Sequence, residues 1–322
     1  MTMNEFSAVT EATAPGKIIL FGEHAVVYGR PAIAAPISQL RAKAIITYSS
    51  SNNCYIVAPD LNRHDRLQDL PPDDALALAA RQVLDAAHIA QPPDVTIYVS
   101  SQIPIASGMG SGAAIAAAII RALAMHLHRP DLQTNERVSA LTYEVEKIHH
   151  GTPSGIDNTV VAYEQPIWFV RQSPHNQIEP FTVATPLRFV VADTGVPSST
   201  KVAVGDVRRQ YEAQPDTFTE IFDACGRIAQ TARLAIETGN ITQVGQLMTE
   251  NHTWLQKMTV SSPELDRLVE AALAAGALGA KLSGAGRGGN MIALVADDGM
   301  ETAVRTALHH AGAKASLTTV LT

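Results

Sequence analysis

The stretch PIASGMGSGAA, residues 104–114, decides how the rest of this chain is interpreted. Residues 95–100 before it alternate and are rich in β-branched side chains, which predicts a strand. Residues 113–128 after it are rich in Ala, Ile and Leu, which predicts a buried helix. A glycine-rich turn between a strand and a helix N-terminus exposes amides and the positive end of the helix dipole. Glycines at alternate positions also remove Cβ atoms that would hold a phosphate away. The stretch therefore predicts a site for nucleotide phosphates.

Other interpretations of this loop are weighed by its context. Gly108, Gly110 and Ala113 also fit the dinucleotide-binding pattern G-x-G-x-x-A. That site needs a second parallel strand ending in Asp or Glu about 20 residues later, whereas Arg129-Pro130-Asp131 and a second helical stretch follow here. The P-loop pattern fails as well, because no lysine follows the glycines. A tight strand-to-helix turn without a ligand remains the alternative from this loop alone.

Composition narrows the classes of partner. The chain has 322 residues, 46% of them hydrophobic, and a net charge of −7 from 24 Lys and Arg against 31 Asp and Glu. An acidic chain without a basic block argues against nucleic acid or an anionic membrane as a partner. Cys54 and Cys225 make no disulfide framework, and residues 1–11 lack the features of a signal peptide. We therefore predict a cytoplasmic protein.

Three ionisable residues surround a short predicted strand near the N-terminus. Residues 18–21 (IILF) predict the strand, with Lys17 before it and Glu23 and His24 after it. A single lysine or histidine of this kind is most often a surface or loop residue. Three such residues beside one apolar strand are equally consistent with a functional site and with ordinary surface residues.

Two carboxylates follow the first glycine loop. Glu146 lies near the end of a helix predicted over residues 135–149, and Asp157 lies in the turn-rich segment that follows. Mg²⁺ binds one or two carboxylates together with phosphate oxygens and waters, so the pair is a candidate magnesium site. The alternatives are a solvated helix face for Glu146 and a helix cap for Asp157.

A second glycine loop, GAGRGG at residues 284–289, separates two predicted strands. A hairpin turn is the simple alternative, but four glycines in six residues exceed what a hairpin needs. We therefore expect the backbone to approach something closely. Elsewhere, residues 32–36 and 42–48 predict separate strands, residues 62–72 a polar loop and residues 172–179 a linker.

Four motifs in order resemble those of one enzyme superfamily. APGK (14–17) leading to GEH (22–24), the loop 108–114, HGTPSGIDN (150–158) and the loop 284–289 resemble the GHMP small-molecule kinases. That superfamily includes galactokinase, homoserine kinase, mevalonate kinase and phosphomevalonate kinase. Within it, the first and third motifs are most similar to those of mevalonate kinases. The resemblance runs from about Ala12 to Ala296, nearly the whole chain.

The resemblance implies a fold and an activity. The fold is α+β, with a ribosomal-protein-S5-like N-terminal domain over residues 1–178 and a ferredoxin-like C-terminal domain over residues 179–322. The active site of such kinases lies in the cleft between the two domains. The implied activity is ATP- and Mg²⁺-dependent phosphorylation of the 5-hydroxyl of mevalonate, a step toward isoprenoids. A homodimer is a further expectation, since dimers occur among such kinases.

The resemblance also assigns roles to residues. Asp157 falls on the catalytic aspartate, which accepts the proton of the substrate hydroxyl or orients it, and Lys17 falls on the catalytic lysine. Glu146 falls on the magnesium carboxylate, and Ser111 is a second candidate ligand. The expected nucleotide-binding residues are Pro104, Ala106, Ser107, Gly108, Met109, Gly110, Ser111, Gly112 and Ala113. The expected mevalonate-binding residues are Lys17, Glu23, His24, Ser154, Asp157, Thr200, Gly284, Ala285 and Gly286.

Two residues depart from the family pattern. Gly112 stands where the family usually has a second serine bound to magnesium and ATP, so Ser111 or a water takes that place. Arg287 interrupts a loop that is commonly all glycine, where it reaches a phosphate or points to solvent. Two rival functions are a sister kinase, such as phosphomevalonate kinase or mevalonate 3-kinase, and a non-catalytic sensor or binding protein of the same fold. A non-catalytic member would be expected to lose Lys17 or Asp157, and this chain has both.

Overall fold

A computed structural model of the chain describes residues 9–104, 108–150 and 153–322. Contacts divide the described residues into two compact units. Unit 1 takes its residues from Met1–Gly16, Ser38–Ile105 and Gly110–Glu164, and unit 2 from Lys17–Ile37, Ala106–Met109 and Gln165–Thr322. The chain thus passes from one unit to the other within the first two strands and on both sides of Met109.

Unit 1 combines a sheet with a layer of helices. Its elements are the first part of β1 (Thr10–Phe21), the second part of β2 (Ala32–Tyr48), β3 (Tyr55–Ala58), β4 (Arg63–Arg66), α1 (Ala75–Ala86), β5 (Val95–Ser101), α2 (Ser111–His126), α3 (Asn135–His150) and α4 (Ile156–Tyr163). Strand β5 pairs antiparallel with β2 and parallel with β3, which pairs antiparallel with β4. Helix α2 contacts α1, α3 and α4, so the helix that follows the first glycine loop is central to this layer.

Unit 2 contains a four-stranded antiparallel sheet with helices. Its further elements are β6 (Ile167–Val170), β7 (Gln177–Pro180), β8 (Leu187–Asp193), α5 (Thr200–Ala213), α6 (Pro215–Glu237), α7 (Ile241–Lys257), α8 (Pro263–Ala274), β9 (Gly279–Ser283), β10 (Asn290–Val295), α9 (Asp298–His310) and β11 (Ala315–Leu321). The sheet order is β11-β8-β10-β9. Strand β6 pairs with β7 and with residues 32–34 of β2.

Small side chains allow α2 to pack closely in unit 1. Its buried residues are seven alanines together with Ile119, Ile120 and Leu123. Alanine is the best helix former because it has no side-chain rotamers to restrict. The helix therefore forms readily and brings its backbone near its neighbours.

An aromatic cluster fixes the turn after the GEH motif in unit 2. The Tyr28 ring stacks on Phe222 of α6 with centroids 4.2 Å apart, and Tyr211 meets Tyr28 edge-on at 5.1 Å. Arg30 adds a hydrogen bond from Nε to Asp223 Oδ1 of 2.9 Å. Stacked and edge-on rings stabilise a structure beyond the area they bury, so the short turn that carries Glu23 and His24 is held against α6.

Three element predictions were wrong. Residues 32–48 form one strand, because Pro36 lies between the segments paired with β6 and with β5 and interrupts neither ladder. The polar residues 63–66 form β4, an edge strand where charged side chains are tolerated. The supposed linker contains β7, which pairs with β6. In each case strand pairing outweighed local composition.

The described residues contain no helix with both the length and the apolar character needed to cross a bilayer.

Candidate active site

The start of α2 has the features of an anion site in unit 1. Gly110 caps the helix in the left-handed region, with φ 74°, and as a glycine it has no side chain to accept a hydrogen bond from the first turn. The first turn carries no acidic residue, and Ser111 and Gly112 are only partly buried. Amides at a helix start bind phosphate oxygens well. The residues present therefore fit the phosphates of a nucleotide.

The preceding part of the loop belongs to unit 2. Gly108 has φ 75°, and a Cβ placed there would meet nothing closer than Asn290 Nδ2 at 3.9 Å. Met109 is buried, and its carbonyl oxygen accepts a hydrogen bond of 2.9 Å from the Lys17 amide. Pro104 is exposed in unit 1, and Ala106 and Ser107 lie outside the described residues. The strand that carries Lys17 is thus joined directly to the first glycine loop.

Lys17 is a buried cation on β1. Its side chain is only 4% exposed. Ser283 holds the strand two residues further on, because its hydroxyl donates to Ile19 O at 2.9 Å and accepts from Ile19 N at 3.1 Å. These bonds join β1 to the end of β9, just before the second glycine loop. The backbone around the expected catalytic lysine is therefore held by the first glycine loop and by the end of β9.

A buried ion pair lies beside Lys17, and sequence reasoning missed half of it. Lys281 of β9 donates from Nζ to Glu23 Oε1 and to Leu282 O, the latter at 2.6 Å. Both side chains of the pair are 0% exposed. Burial raises the pKa of the Glu23 carboxyl, and the Lys281 charge opposes this; burial lowers the pKa of Lys281, opposed by Glu23. Lys281 therefore supplies the countercharge for a carboxylate that could not stay ionised alone.

His24 is a neutral, buried histidine. Its Nε2 donates to Ala285 O at 2.9 Å, which leaves the lone pair on Nδ1. Burial lowers the pKa of His24 to about 4; the Ala285 carbonyl opposes the shift and the nearby Arg287 charge adds to it. Nδ1 is buried and has no hydrogen-bond partner among the described residues. The arrangement offers an acceptor to a substrate hydroxyl.

Stability should depend on pH through His24. Its pKa falls from 6.5 to about 4 on folding, so the unfolded chain binds the proton first and stability decreases as the pH falls through this window. A shift of this size corresponds to about 3 kcal/mol below pH 4. His24→Gln keeps a donor for Ala285 and should flatten the pH dependence of the free energy of unfolding, measured by urea denaturation. His175→Gln, at an exposed position, is the control and should leave the slope as in the wild type. Equal slopes for all three proteins would contradict a neutral, buried His24.

The second glycine loop is a hairpin whose backbone is confined by the protein itself. Ser283 of β9 and Asn290 of β10 face each other in register across the loop. A Cβ on Gly286 would lie 1.9 Å from Val260 O, and one on Gly288 would lie 2.5 Å from Val196 O. The segment is therefore both a hairpin turn and a place where the backbone is closely approached, and at least part of that approach is by the protein's own carbonyl groups.

The start of α5 is attached to this loop. Ser199 caps the helix by accepting from Val202 N at 3.4 Å, and Ser198 donates from Oγ to Gly286 O. Thr200, the expected substrate residue, is the exposed first residue of the helix. Ser198, which was not among the expected site residues, is the residue that bonds this segment to the loop.

The two expected acids and Ser154 lie in unit 1. Glu146 of α3 is 3% exposed, which excludes the solvated helix face considered above. Gly155 is the cap residue of α4, so Asp157 is not a helix cap but lies in the first turn, partly buried. Ser154 Oγ accepts from Ile156 N at 3.3 Å and so shapes the turn before Asp157. Carboxylate oxygens are the ligands that Mg²⁺ prefers, and the donors present fit that ion.

Two segments of the chain match the two domains of one protein family. Residues 75–165 match GHMP kinases N terminal domain, and residues 232–314 match GHMP kinases C terminal. Together the two matches cover more than half of the chain.

Individual relatives match almost end to end. Mevalonate kinase from Pyrococcus abyssi (strain GE5 / Orsay) is 36% identical over 330 residues, covering 96% of this chain and 95% of the relative. Mevalonate kinase from Thermococcus onnurineus (strain NA1) is 37% identical over 328 residues, with the same coverage. The crystal structure of L. major mevalonate kinase in complex with R-mevalonate has a TM-score of 0.86 and 31% identity, covering 99% of this chain and 97% of that one. The expected two-domain fold is confirmed, and the chain belongs to the GHMP kinase family, in its mevalonate kinase branch.

Proposed function

We propose that this chain transfers a phosphoryl group from ATP to the 5-hydroxyl of mevalonate. The observation that carries the proposal is the Glu23-His24 turn, bonded through His24 to the second glycine loop and through Glu23 to β9, in a chain 36% identical to a mevalonate kinase. His24 presents a neutral Nδ1 acceptor, and Glu23 is fixed by Lys281. Such groups suit a small polyhydroxylated acid better than an apolar ligand.

Each expected catalytic residue has a role that its surroundings support. Lys17 is a buried cation joined to the first glycine loop, and we assign it to offset negative charge that develops during transfer. Asp157 is assigned to accept the proton of the hydroxyl or to orient it. The amides at the start of α2 would hold phosphate oxygens, and Glu146 and Ser111 would hold Mg²⁺. When bound, Mg²⁺ neutralises charge on the triphosphate.

A substrate panel tests the proposal. Purified protein with ATP and Mg²⁺ is offered R-mevalonate, phosphomevalonate, galactose and homoserine, and ADP release is measured. Product from mevalonate is then examined by ³¹P NMR to identify the phosphorylated hydroxyl. We expect turnover of mevalonate at the 5-position. Turnover of another member of the panel, or of the 3-hydroxyl, would assign the chain to a sister kinase, and no turnover of any would favour a binding protein.

Glu146→Gln should raise the Mg²⁺ requirement. Losing a carboxylate that ligates the ion should weaken metal affinity at least as much as losing an outer-shell partner, which costs about 10- to 100-fold. The measurement is initial rate against Mg²⁺ at fixed ATP. Glu144→Gln is the matched control, because Glu144 lies on the same helix but pairs with Lys147 at the surface, with 43% of its side chain exposed. An unchanged Mg²⁺ requirement for Glu146→Gln would remove this residue from the metal site.

Three further expectations stay predictions. A cytoplasmic location is supported by Cys54 and Cys225, both buried as free thiols. A homodimer is testable by light scattering. The division at residue 178 is testable by expressing residues 179–322 alone and measuring whether they fold.

A further inference from the structure

Arg287 occupies a position that its loop otherwise fills with glycine. Its φ is 58°, in the left-handed region. Gly284, Gly286 and Gly289 of the same loop also have positive φ angles, of 94°, 75° and 69°. A long side chain is disfavoured in that region relative to glycine. The side chain therefore remains here at a conformational cost that an interaction must offset.

The Arg287 side chain is neither pointed at solvent nor left without partners. Its Nη1 pairs with Asp206 Oδ2 of α5, and its Nε donates to Thr259 O at 3.3 Å. The side chains of Arg287 and Asp206 are 32% and 20% exposed. The backbone amide of Arg287 donates to Val260 O at 2.7 Å. The arginine thus bridges from the second glycine loop to α5 at a partly buried position.

Hydrogen bonds just before α5 also attach the same loop to the segment that precedes Thr200. Ser198 donates to Gly286 O, Gly289 N donates to Val196 O at 2.9 Å, and Thr194 N donates to Gly289 O at 2.9 Å. Asp206 lies after Thr200, by less than two helical turns. The chain is therefore attached both before and after Thr200 to the loop whose Ala285 carbonyl accepts from His24.

We infer that Arg287 is a positioning residue for mevalonate binding, acting through its ion pair with Asp206. The pair fixes the start of α5, and with it Thr200, relative to Ala285 and His24. This inference rests on the proposed function, because it names a determinant of affinity for that substrate. It predicts that loss of Arg287 weakens mevalonate binding while leaving ATP binding and the fold intact.

Arg287→Gly is the decisive variant. Glycine adopts φ 58° without strain, so the variant should fold with a melting temperature equal to or above that of the wild type. The dissociation constant for R-mevalonate, measured by calorimetry without nucleotide, should rise about fivefold, the upper end for a partly exposed ion pair. KM for mevalonate should rise in parallel, while kcat and KM for ATP stay unchanged. Hydrogen exchange at residues 200–206 should become faster.

The chain offers a matched control for the charge of Asp206. Arg209 pairs with the other oxygen of the same carboxylate, but within α5 and with 72% of its side chain exposed. Arg209→Ala should leave mevalonate affinity and hydrogen exchange as in the wild type. Asp206→Asn should reproduce Arg287→Gly, and the double variant should be no weaker than either single one.

The outcomes separate this inference from the proposed function. Wild-type affinity for mevalonate in Arg287→Gly, or an equal loss in Arg209→Ala, would overturn the role of Arg287 while leaving the kinase activity in place. A fall in melting temperature with unchanged exchange at residues 200–206 would show a general stabilising role and would overturn it too. If the wild type does not bind mevalonate, the proposed function fails. In that case hydrogen exchange still tests the ion pair, because unchanged exchange at residues 200–206 in Arg287→Gly would show that Arg287 does not fix the start of α5.

Discussion

Asp157→Asn is expected to lower kcat by about 10²- to 10⁴-fold, the usual contribution of a general base. Asparagine has nearly the same shape and can hydrogen-bond a hydroxyl, but it cannot accept a proton as a carboxylate does. Asp157 lies in the first turn of α4, after a glycine cap and a turn shaped by Ser154, so the substitution should leave the backbone unchanged. The measurement is steady-state kinetics together with calorimetric binding of mevalonate and ATP.

The control for this substitution removes the same negative charge from the first turn of a different helix. Asp216 also lies in the first turn of a helix, α6, but is exposed. Asp216→Asn should leave kcat unchanged, which separates loss of a catalytic group from loss of a helix-dipole contact. A rise in KM alone for Asp157→Asn would mean that Asp157 binds the substrate and the transition state equally and does not act in the chemical step. Retention of more than about a tenth of wild-type kcat, well short of the expected range, would leave Lys17 as the main catalytic candidate.

Local patterns predicted the elements that surround the first glycine loop. The alternating residues 95–100 and the alanine-rich stretch after the loop became β5 and α2, with boundaries shifted by one or two residues. Strand β4 could not be predicted in the same way, because its four residues are all charged or polar and form a strand only through pairing with β3. Pairing between distant segments is not encoded in the local period of a sequence.

The same distinction applies to the candidate site. Motifs identified Lys17, Glu23 and His24, which follow one another along the chain. Lys281 is separated from Glu23 by 258 positions and lies outside all four motifs. One signal was available, since a lysine inside an otherwise apolar buried strand needs a countercharge. Which acid provides it depends on the tertiary fold.

Glycine content likewise predicted close packing without identifying what is packed. The first loop has open space at Gly108, as a ligand-binding loop requires, whereas Gly286 and Gly288 of the second loop face the protein's own carbonyl groups. A glycine-rich segment therefore carries two meanings that only the neighbouring backbone distinguishes. Substituting Gly286 would test folding, and substituting Gly108 would test nucleotide binding.

Lys281→Met is expected to destabilise the protein by about 3–5 kcal/mol, the usual cost of removing one partner from a buried ion pair. Methionine has a similar length and fills the same space, so the loss comes mainly from leaving Glu23 buried without its countercharge. The pair is fully buried, so solvent cannot replace the lost interaction. The free energy of unfolding should be measured by urea denaturation between pH 7 and about pH 4.5, the ordinary pKa of a glutamate.

The pH dependence of this loss identifies its cause. Without Lys281, the pKa of Glu23 in the folded state rises further above 4.5, so the folded protein holds a proton that the unfolded chain releases as the pH rises. The destabilisation should therefore be greatest at neutral pH and smallest near pH 4.5. The double variant Glu23→Gln with Lys281→Met removes both charges, and it should be more stable at neutral pH than Lys281→Met alone. A loss that is independent of pH, and equal in the single and double variants, would mean that Lys281 contributes packing rather than charge.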